Sequence, residues 1–98
     1  MIELPFPPSS LSGHAKGNWH RHASEHRKHR MWARAATLAA RTRAPEGNGD
    51  IVVMVAFFPP DNRSDRINFP NRMKPYFDGI ADALGVNDKR FVPIFDFR

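Results

Sequence analysis

The feature that most constrains the fold is an unbroken apolar run at residues 51–58, with the sequence IVVMVAFF. A Gly-Asn-Gly turn signal at 47–49 precedes the run, and two prolines at 59–60 end it. A short continuous apolar run that is rich in β-branched residues indicates a strand in the interior of a sheet. We therefore expect this strand to be central and covered on both faces.

A first helix is predicted ahead of that strand. We expect it to begin near residue 23, with the Ser24 hydroxyl as its N-cap, and to end by residue 43. Apolar side chains recur at helical spacing and would form its buried face: Met31, Ala35, Leu38 and Ala39.

A second helix is predicted over residues 71–84. One apolar stripe runs along it at helical spacing, made by Met73, Phe77, Ile80, Ala81 and Leu84. Pro75 cannot lie in a helix interior, so the regular part is expected to begin there, with Pro75 as its first residue. Gly85 is suited to the left-handed conformation that ends many helices.

Two shorter strands complete the expected fold. Residues 2–6 alternate weakly and are followed by Pro7, and residues 91–97 read as a last strand in which Pro93 favours an edge or a bulge. We expect one α/β (α+β) domain over residues 1–98, with a small mixed sheet and two main helices. The thin core of so short a chain and an exposed sheet edge favour a homodimer.

The charge of the chain favours an anionic partner. The formal net charge is +5, and residues 14–43 contain all five histidines and a single acid, Glu25. Because the cations are clustered, we favour nucleic acid over a basic surface that only keeps the protein soluble. The absence of cysteine, of a signal-peptide layout and of an apolar run long enough for a bilayer leads us to expect a soluble, cytoplasmic protein without a membrane partner.

Four acids around the second helix are candidate metal ligands: Asp65, Asp78, Asp82 and Asp88. Carboxylates that converge can hold a divalent cation for phosphodiester chemistry. Lys74, Asp78 and Asp82 share one helix face, although an ordinary solvated face would show the same spacing. A helix over 71–84 is about 21 Å long. Asp65 and Asp88 can therefore meet only if residues 65–71 fold back along it or a second subunit supplies Asp88.

The histidines and tryptophans of the basic segment allow two interpretations. His22, His26 and His29 have the spacing of one helical face, which zinc sites also use, but no cysteine accompanies them and their neighbours are basic. We therefore favour a DNA-facing surface of histidine and arginine. Trp19 is the one aromatic residue that we expect to contact bases rather than to fill the core.

The ordered motifs of the chain resemble those of the RusA family of Holliday junction endonucleases, which are widespread in prophages. The resemblance covers nearly the whole chain: the opening LPFPPS at 4–9, the basic helix, the FPPDNR at 58–63 that ends the apolar strand, and the acidic stretch from Asp65 to Asp88. It implies a homodimer that binds four-way DNA junctions and nicks two strands symmetrically, with Mg²⁺ or Mn²⁺ as cofactor.

The resemblance also implies roles for particular residues. Asp65, Lys74 and Asp88 match the catalytic residues of the family, and Asp65 and Asp88 would bind the metal. Apart from the resemblance, we add Asp78 as a further candidate ligand. Lys74 would offset charge on the phosphate in the transition state. The residues that we assign to DNA contact are Lys16, Trp19, Arg21, Arg27, Lys28, Arg63 and Asn68.

Two departures from the family pattern leave a competing function open. Ile67 stands where the family has a second aspartate, and Asn87 stands where the late acidic pair begins. Isoleucine cannot bind a metal, so the alternative is a DNA-junction-binding protein of the same fold with impaired catalysis. A structural phage protein without a nucleic acid partner is a third, weaker possibility.

Overall fold

The computed structural model describes residues 1–11, 19–60 and 68–98, with only the backbone at Trp19 and Arg21. The described part contains two helices and a small sheet, so the expected α+β class is confirmed. No helix in this part is long and apolar enough to cross a membrane. The main elements are α1 (Trp19–Ala39), β1 (Ile51–Phe57), α2 (Lys74–Leu84) and β2 (Phe91–Phe97), with short 3₁₀ helices at Ser9–Leu11, Pro70–Arg72 and Asp88–Arg90.

The sheet consists of β1 and β2, which run parallel over their full length. The pairing extends from Ile51 opposite Phe91 to Phe57 opposite Phe97, and α2 lies in the crossover between the strands. The expectation of a mixed sheet is therefore wrong for the described residues. Pro93 lies opposite Val53, on a strand with one free edge, which agrees with the predicted edge position.

Residues 2–6 do not form the predicted strand. The Tyr76 hydroxyl donates a hydrogen bond to the Pro5 carbonyl over 2.6 Å, and Leu4 and Phe6 pack against the core. Proline at position 5 has no N–H to donate to a strand ladder, so this segment is held by side-chain contacts instead.

β1 is covered on one face in the described structure rather than on both. Ile51 and Phe57 point inward and are buried, whereas Val52 and Met54 on the other face are 60% and 81% exposed. The physical reason is that α2 and the residues packed with it supply cover on one side of the sheet only. The continuous apolar sequence therefore overstated the burial of this strand.

α1 begins at Trp19, so Ser24 lies inside the helix and is not its N-cap. The predicted buried face is also wrong, because Met31, Ala35, Leu38 and Ala39 are exposed. The inward stripe is His29, Ala33 and Thr37, each one turn after the last, and the Thr37 hydroxyl donates to the Ala33 carbonyl over 2.7 Å.

α2 agrees closely with the sequence prediction. It covers Lys74–Leu84 with Pro75 in its first turn, and it ends at Gly85, whose φ of 69° is left-handed. Met73, Tyr76 and Ala81 are buried. Met73 and Tyr76 form one core cluster with Phe57, Phe69 and Ala33 of α1, so the core lies between the two helices and the inner face of the sheet.

The two helices touch at Gly79 of α2. A Cβ atom placed on Gly79 would lie 2.1 Å from the Arg30 carbonyl oxygen and 2.8 Å from the Ala33 Cβ, so only glycine fits. Ala33 is completely buried at this crossing. Because the two backbones meet here, the crossing fixes which α1 side chains stand beside which α2 side chains.

Candidate active site

Lys74 joins two of the predicted acidic residues. Its ammonium lies 2.9 Å from Asp78 Oδ1, one helical turn later, and donates a hydrogen bond to Asp88 Oδ2. The structure therefore brings together Lys74, Asp78 and Asp88, which come from the start of α2 and from the turn beyond its end. We call these three residues the Lys74 cluster.

The chain after α2 folds back to place Asp88. Gly85 reverses the backbone in its left-handed conformation, and the Asn87 side chain then accepts a hydrogen bond from the Lys89 N–H over 2.9 Å. Asn87 thus caps the short helix that Asp88 begins. In the sequence Asn87 stands out as a departure from the acidic pair, although an asparagine ahead of a charged turn is also an ordinary capping signal.

The length of the second helix keeps residues at its two ends apart, and the reversal of the chain after α2 overcomes this separation for Asp88. Asp88 reaches the beginning of α2 within one chain, so no second subunit is needed to bring it to Lys74. The other partner of the expected site, Asp65, lies outside the described residues, and so does Ile67.

The Lys74 cluster is charged at neutral pH. Hydrogen bonds to Asp88 and to Asp78 raise the pKa of Lys74 above its ordinary value. The hydrogen bond from Lys74 lowers the pKa of Asp88. The Lys74 ammonium and the Asp88 carboxylate therefore stabilise each other's charged form. Lys74 is 60% exposed, while the side chains of Asp78 and Asp88 are more than two thirds buried.

Asp82 does not join this cluster, although it lies one turn after Asp78. Its two carboxylate oxygens accept hydrogen bonds from Arg30 Nε and Nη2 of α1, at 2.7 and 2.8 Å. The bond from Arg30 lowers the pKa of Asp82. The structure therefore uses Asp82 to tie α2 to α1 rather than as a candidate metal ligand.

Part of the expected metal ligand set is present. The described residues contain no group of three His, Cys, Asp or Glu side chains suited to a metal ion. Asp78 and Asp88 nevertheless both contact Lys74 and therefore lie close to each other. Mg²⁺ is often held by one or two carboxylates together with water and substrate phosphate. The donor chemistry therefore fits a magnesium ion that shares its coordination with substrate.

The histidine surface differs from the expected one. His29 is buried, donates from Nδ1 to the Glu25 carbonyl over 2.7 Å, and packs between Trp32 and Tyr76. A zinc site made by His22, His26 and His29 is therefore wrong, because His29 belongs to the core. Sequence spacing alone could not separate it from its neighbours.

The residues assigned to DNA contact are only partly described. Lys16 and Arg63 lie outside the described residues, and Trp19 and Arg21 contribute only their backbone, in the first turn of α1. Arg27 and Lys28 are exposed on α1; Lys28 lies 3.6 Å from Glu25 and over the Trp32 ring. Asn68 is half-buried beside the core residue Phe69.

Comparisons with known proteins identify a similar sequence, but that protein is uncharacterized and so suggests no function. No protein family model matches the chain, and no solved structure matches it. The chain is similar to an uncharacterized protein of Xylella fastidiosa, with 38% identity over 96 residues. The match covers 93% of this chain and 61% of that protein, so the chain spans less than two thirds of its relative's length. Membership of the RusA family stays a prediction.

Proposed function

We propose that this protein is a magnesium-dependent endodeoxyribonuclease of the RusA type, which nicks branched DNA as a homodimer. The observation that carries the proposal is the Lys74 cluster, in which one ammonium bridges Asp78 within α2 and Asp88 in the turn beyond its end. The clustered positive charge of residues 14–43 supplies attraction for a polyanion.

The residues of the Lys74 cluster have distinct roles in this chemistry. Asp78 and Asp88, with Asp65, would hold the cation, which when bound supplies an activated water and stabilises the leaving oxygen. Lys74 is protonated at neutral pH, as lysines ordinarily are, and its raised pKa opposes loss of the proton further. It therefore donates a hydrogen bond and positive charge to a phosphate oxygen and does not act as a base.

A homodimer would provide the two active sites that paired nicks require. The outer face of the sheet supports association, because apolar Val52, Met54 and Ile94 are exposed there. Sedimentation at micromolar concentration should show a dimer. A species that remains monomeric throughout would contradict this part of the proposal.

The competing function is a junction-binding protein with impaired catalysis. Ile67 in place of a carboxylate favours it, since a ligand set that lacks one acid holds Mg²⁺ less tightly. Such a protein would keep the basic surface and the fold but would not cut.

One experiment separates these functions. The protein is incubated with a labelled synthetic four-way junction, with and without Mg²⁺. Symmetric nicks that depend on Mg²⁺ support the nuclease, and a shifted but uncut junction supports the binding protein. Neither result, even at low salt, would favour a structural protein without a nucleic acid role.

Substitutions at two positions test the ligand assignment. Asp65→Asn should abolish cutting and spare binding, while Asp50→Asn, which removes an exposed acid just before β1, should change neither. Ile67→Asp should raise the nicking rate if that position is a missing ligand. Persistent cutting by Asp65→Asn, or an unchanged rate for Ile67→Asp, would show that the assignment is wrong.

A further inference from the structure

The first half of α1 runs beside the Lys74 cluster. His26 lies near enough to Asp78 and Lys74 for both charges to act on its imidazole. The backbone contact at Gly79 and the Arg30–Asp82 pair hold α1 in this position. A strand whose phosphate reaches Lys74 would therefore pass close to α1.

A shallow depression opens on this part of α1, lined by His22, Ala23, His26 and Arg27. We call it the α1 trough. It combines one cationic side chain with two imidazoles, all within two turns of one helix. These groups can donate hydrogen bonds to phosphate oxygens.

The donors of the α1 trough are not engaged by the rest of the described protein. Lys28 pairs with Glu25 and Arg30 pairs with Asp82. By contrast, neither His26 nor Arg27 makes a hydrogen bond or an ion pair within the described part of the chain. The trough therefore has hydrogen-bond donors available for a ligand from outside.

We infer that the α1 trough binds a backbone phosphate of the nucleic acid strand next to the phosphate held at Lys74. This inference rests on the DNA substrate of the proposed function and refines it. It assigns the strand's path to helix α1, and it narrows the histidine and arginine surface expected from the sequence to two binding residues, His26 and Arg27.

The two side chains should leave different signatures. Burial lowers the pKa of His26 below its ordinary value, so the neutral imidazole predominates at neutral pH and donates one N–H without adding charge. Arg27 is exposed and always charged, so its contact with a phosphate releases a counterion. Affinity and salt dependence therefore separate the two contributions.

Arg27 is tested with a charge-matched control. Binding of a labelled four-way junction is measured by fluorescence anisotropy over a salt series, with chelator present so that no strand is cut. Arg27→Gln should weaken binding and reduce the slope of log affinity against log salt by about 0.9. Arg98→Gln removes the same charge from an exposed position just after β2, outside the basic segment 14–43, and should leave the slope unchanged.

His26 is tested by comparing two replacements. His26→Leu should weaken binding about tenfold, the effect of losing a hydrogen bond to a charged group, without changing the salt slope. His26→Gln keeps an N–H donor and should restore most of the affinity. A leucine variant that binds like the wild type, or a glutamine variant as weak as leucine, would overturn the inference.

The outcomes for the trough and for the nuclease are distinguishable. Weaker binding by Arg27→Gln and His26→Leu in a protein that never cuts would support the trough and reject the nuclease. If the protein cuts the junction but both variants bind it as tightly as the wild type does, the trough is rejected and the nuclease is not. Displacement of the junction by inorganic phosphate, beyond that by sodium chloride of equal ionic strength, would show a free-phosphate site and also reject it.

Discussion

α2 carries two ion-pair systems only one turn apart, and they are built differently. In the first, Arg30 and Asp82 form a one-to-one pair in which two guanidinium nitrogens meet two carboxylate oxygens. In the second, a single ammonium on Lys74 serves the carboxylates of both Asp78 and Asp88.

The difference separates a structural contact from a reactive one. The Arg30–Asp82 pair balances its charges in a bidentate contact that engages both carboxylate oxygens, so it attracts a further ion less than an unbalanced group does. In the Lys74 cluster two acidic side chains share one exposed ammonium, so their oxygens are not paired one-to-one with donors and can take up a further cation. We therefore expect the Lys74 cluster to matter for catalysis and the Arg30–Asp82 pair to matter for stability.

The largest expected effect is on catalysis and tests this contrast directly. Asp88→Asn should lower the rate of junction nicking by about 10²–10³-fold, because it removes one charge that holds the cation and orients Lys74. Asp82→Asn makes the same chemical change in the Arg30–Asp82 pair and should leave nicking near the wild-type rate. Single-turnover cleavage of a labelled junction measures both. Equal losses would mean that the two systems are not functionally distinct.

Gly79→Ala should produce the largest loss of stability. The new methyl group would meet the Arg30 carbonyl oxygen at 2.1 Å, so α1 must move away from α2, at a cost of about 3 kcal/mol or more. Gly49→Ala is the matched control, since nothing lies within 4 Å of its added Cβ. Urea denaturation gives both free energies of unfolding. A wild-type value for Gly79→Ala would show that the helices do not touch there.

Tyr76→Phe tests the buried side of α2, away from both ion-pair systems. Losing the hydrogen bond to the Pro5 carbonyl should lower the free energy of unfolding by about 1 kcal/mol, with the nicking rate unchanged. Burial raises the pKa of Tyr76 to about 12, so the wild type should also lose stability as the pH rises from 10 toward that value. The phenylalanine variant should lack this tyrosine-dependent loss, and a matching loss in both proteins would contradict the assignment.

The smallest expected effect is the stability contributed by the Arg30–Asp82 pair. Because both side chains are partly exposed, Asp82→Asn should lower the free energy of unfolding by less than about 1 kcal/mol at neutral pH. The pKa of Asp82 is lowered in the folded state, so this contribution is present above the ordinary value of 3.8. It is lost as the pH falls through the folded-state pKa.

Thermal or urea unfolding of wild type and Asp82→Asn at several pH values checks this last expectation. The difference between them should shrink toward zero in acid. A difference that grows as the pH falls would mean that the pair does not stabilise the charged carboxylate.

The two helices show why sequence prediction succeeded in one place and failed in another. In α2, Pro75 and Gly85 mark the ends that the structure has, and the predicted apolar stripe packs inward although only Met73 and Ala81 of it are fully buried. In α1 the most hydrophobic candidates, Met31 and Leu38, lie in solvent while Ala33 is buried. A close helix crossing selects small residues, and no single-helix pattern shows which of them a partner glycine will meet.

The candidate site shows the same division. The sequence identified Lys74, Asp78 and Asp88 as residues of interest, and the structure joins them. It also offered Asp82 on the same helical face, and periodicity could not exclude it. The hydrogen bond from Arg30 on the neighbouring helix is what separates Asp82 from the Lys74 cluster.

The extents of β1, α2 and β2 and the residue types of the site follow from the sequence alone, because local periodicity, proline and left-handed glycine act over a few neighbouring positions. Which carboxylate meets which cation, and which faces of α1 and β1 are covered, follow from the packing of distant segments. Those choices depend on the approach of two backbones at Gly79 and on the reversal after Gly85. Contacts between residues distant in the chain are set by packing, which spacing along the sequence does not encode.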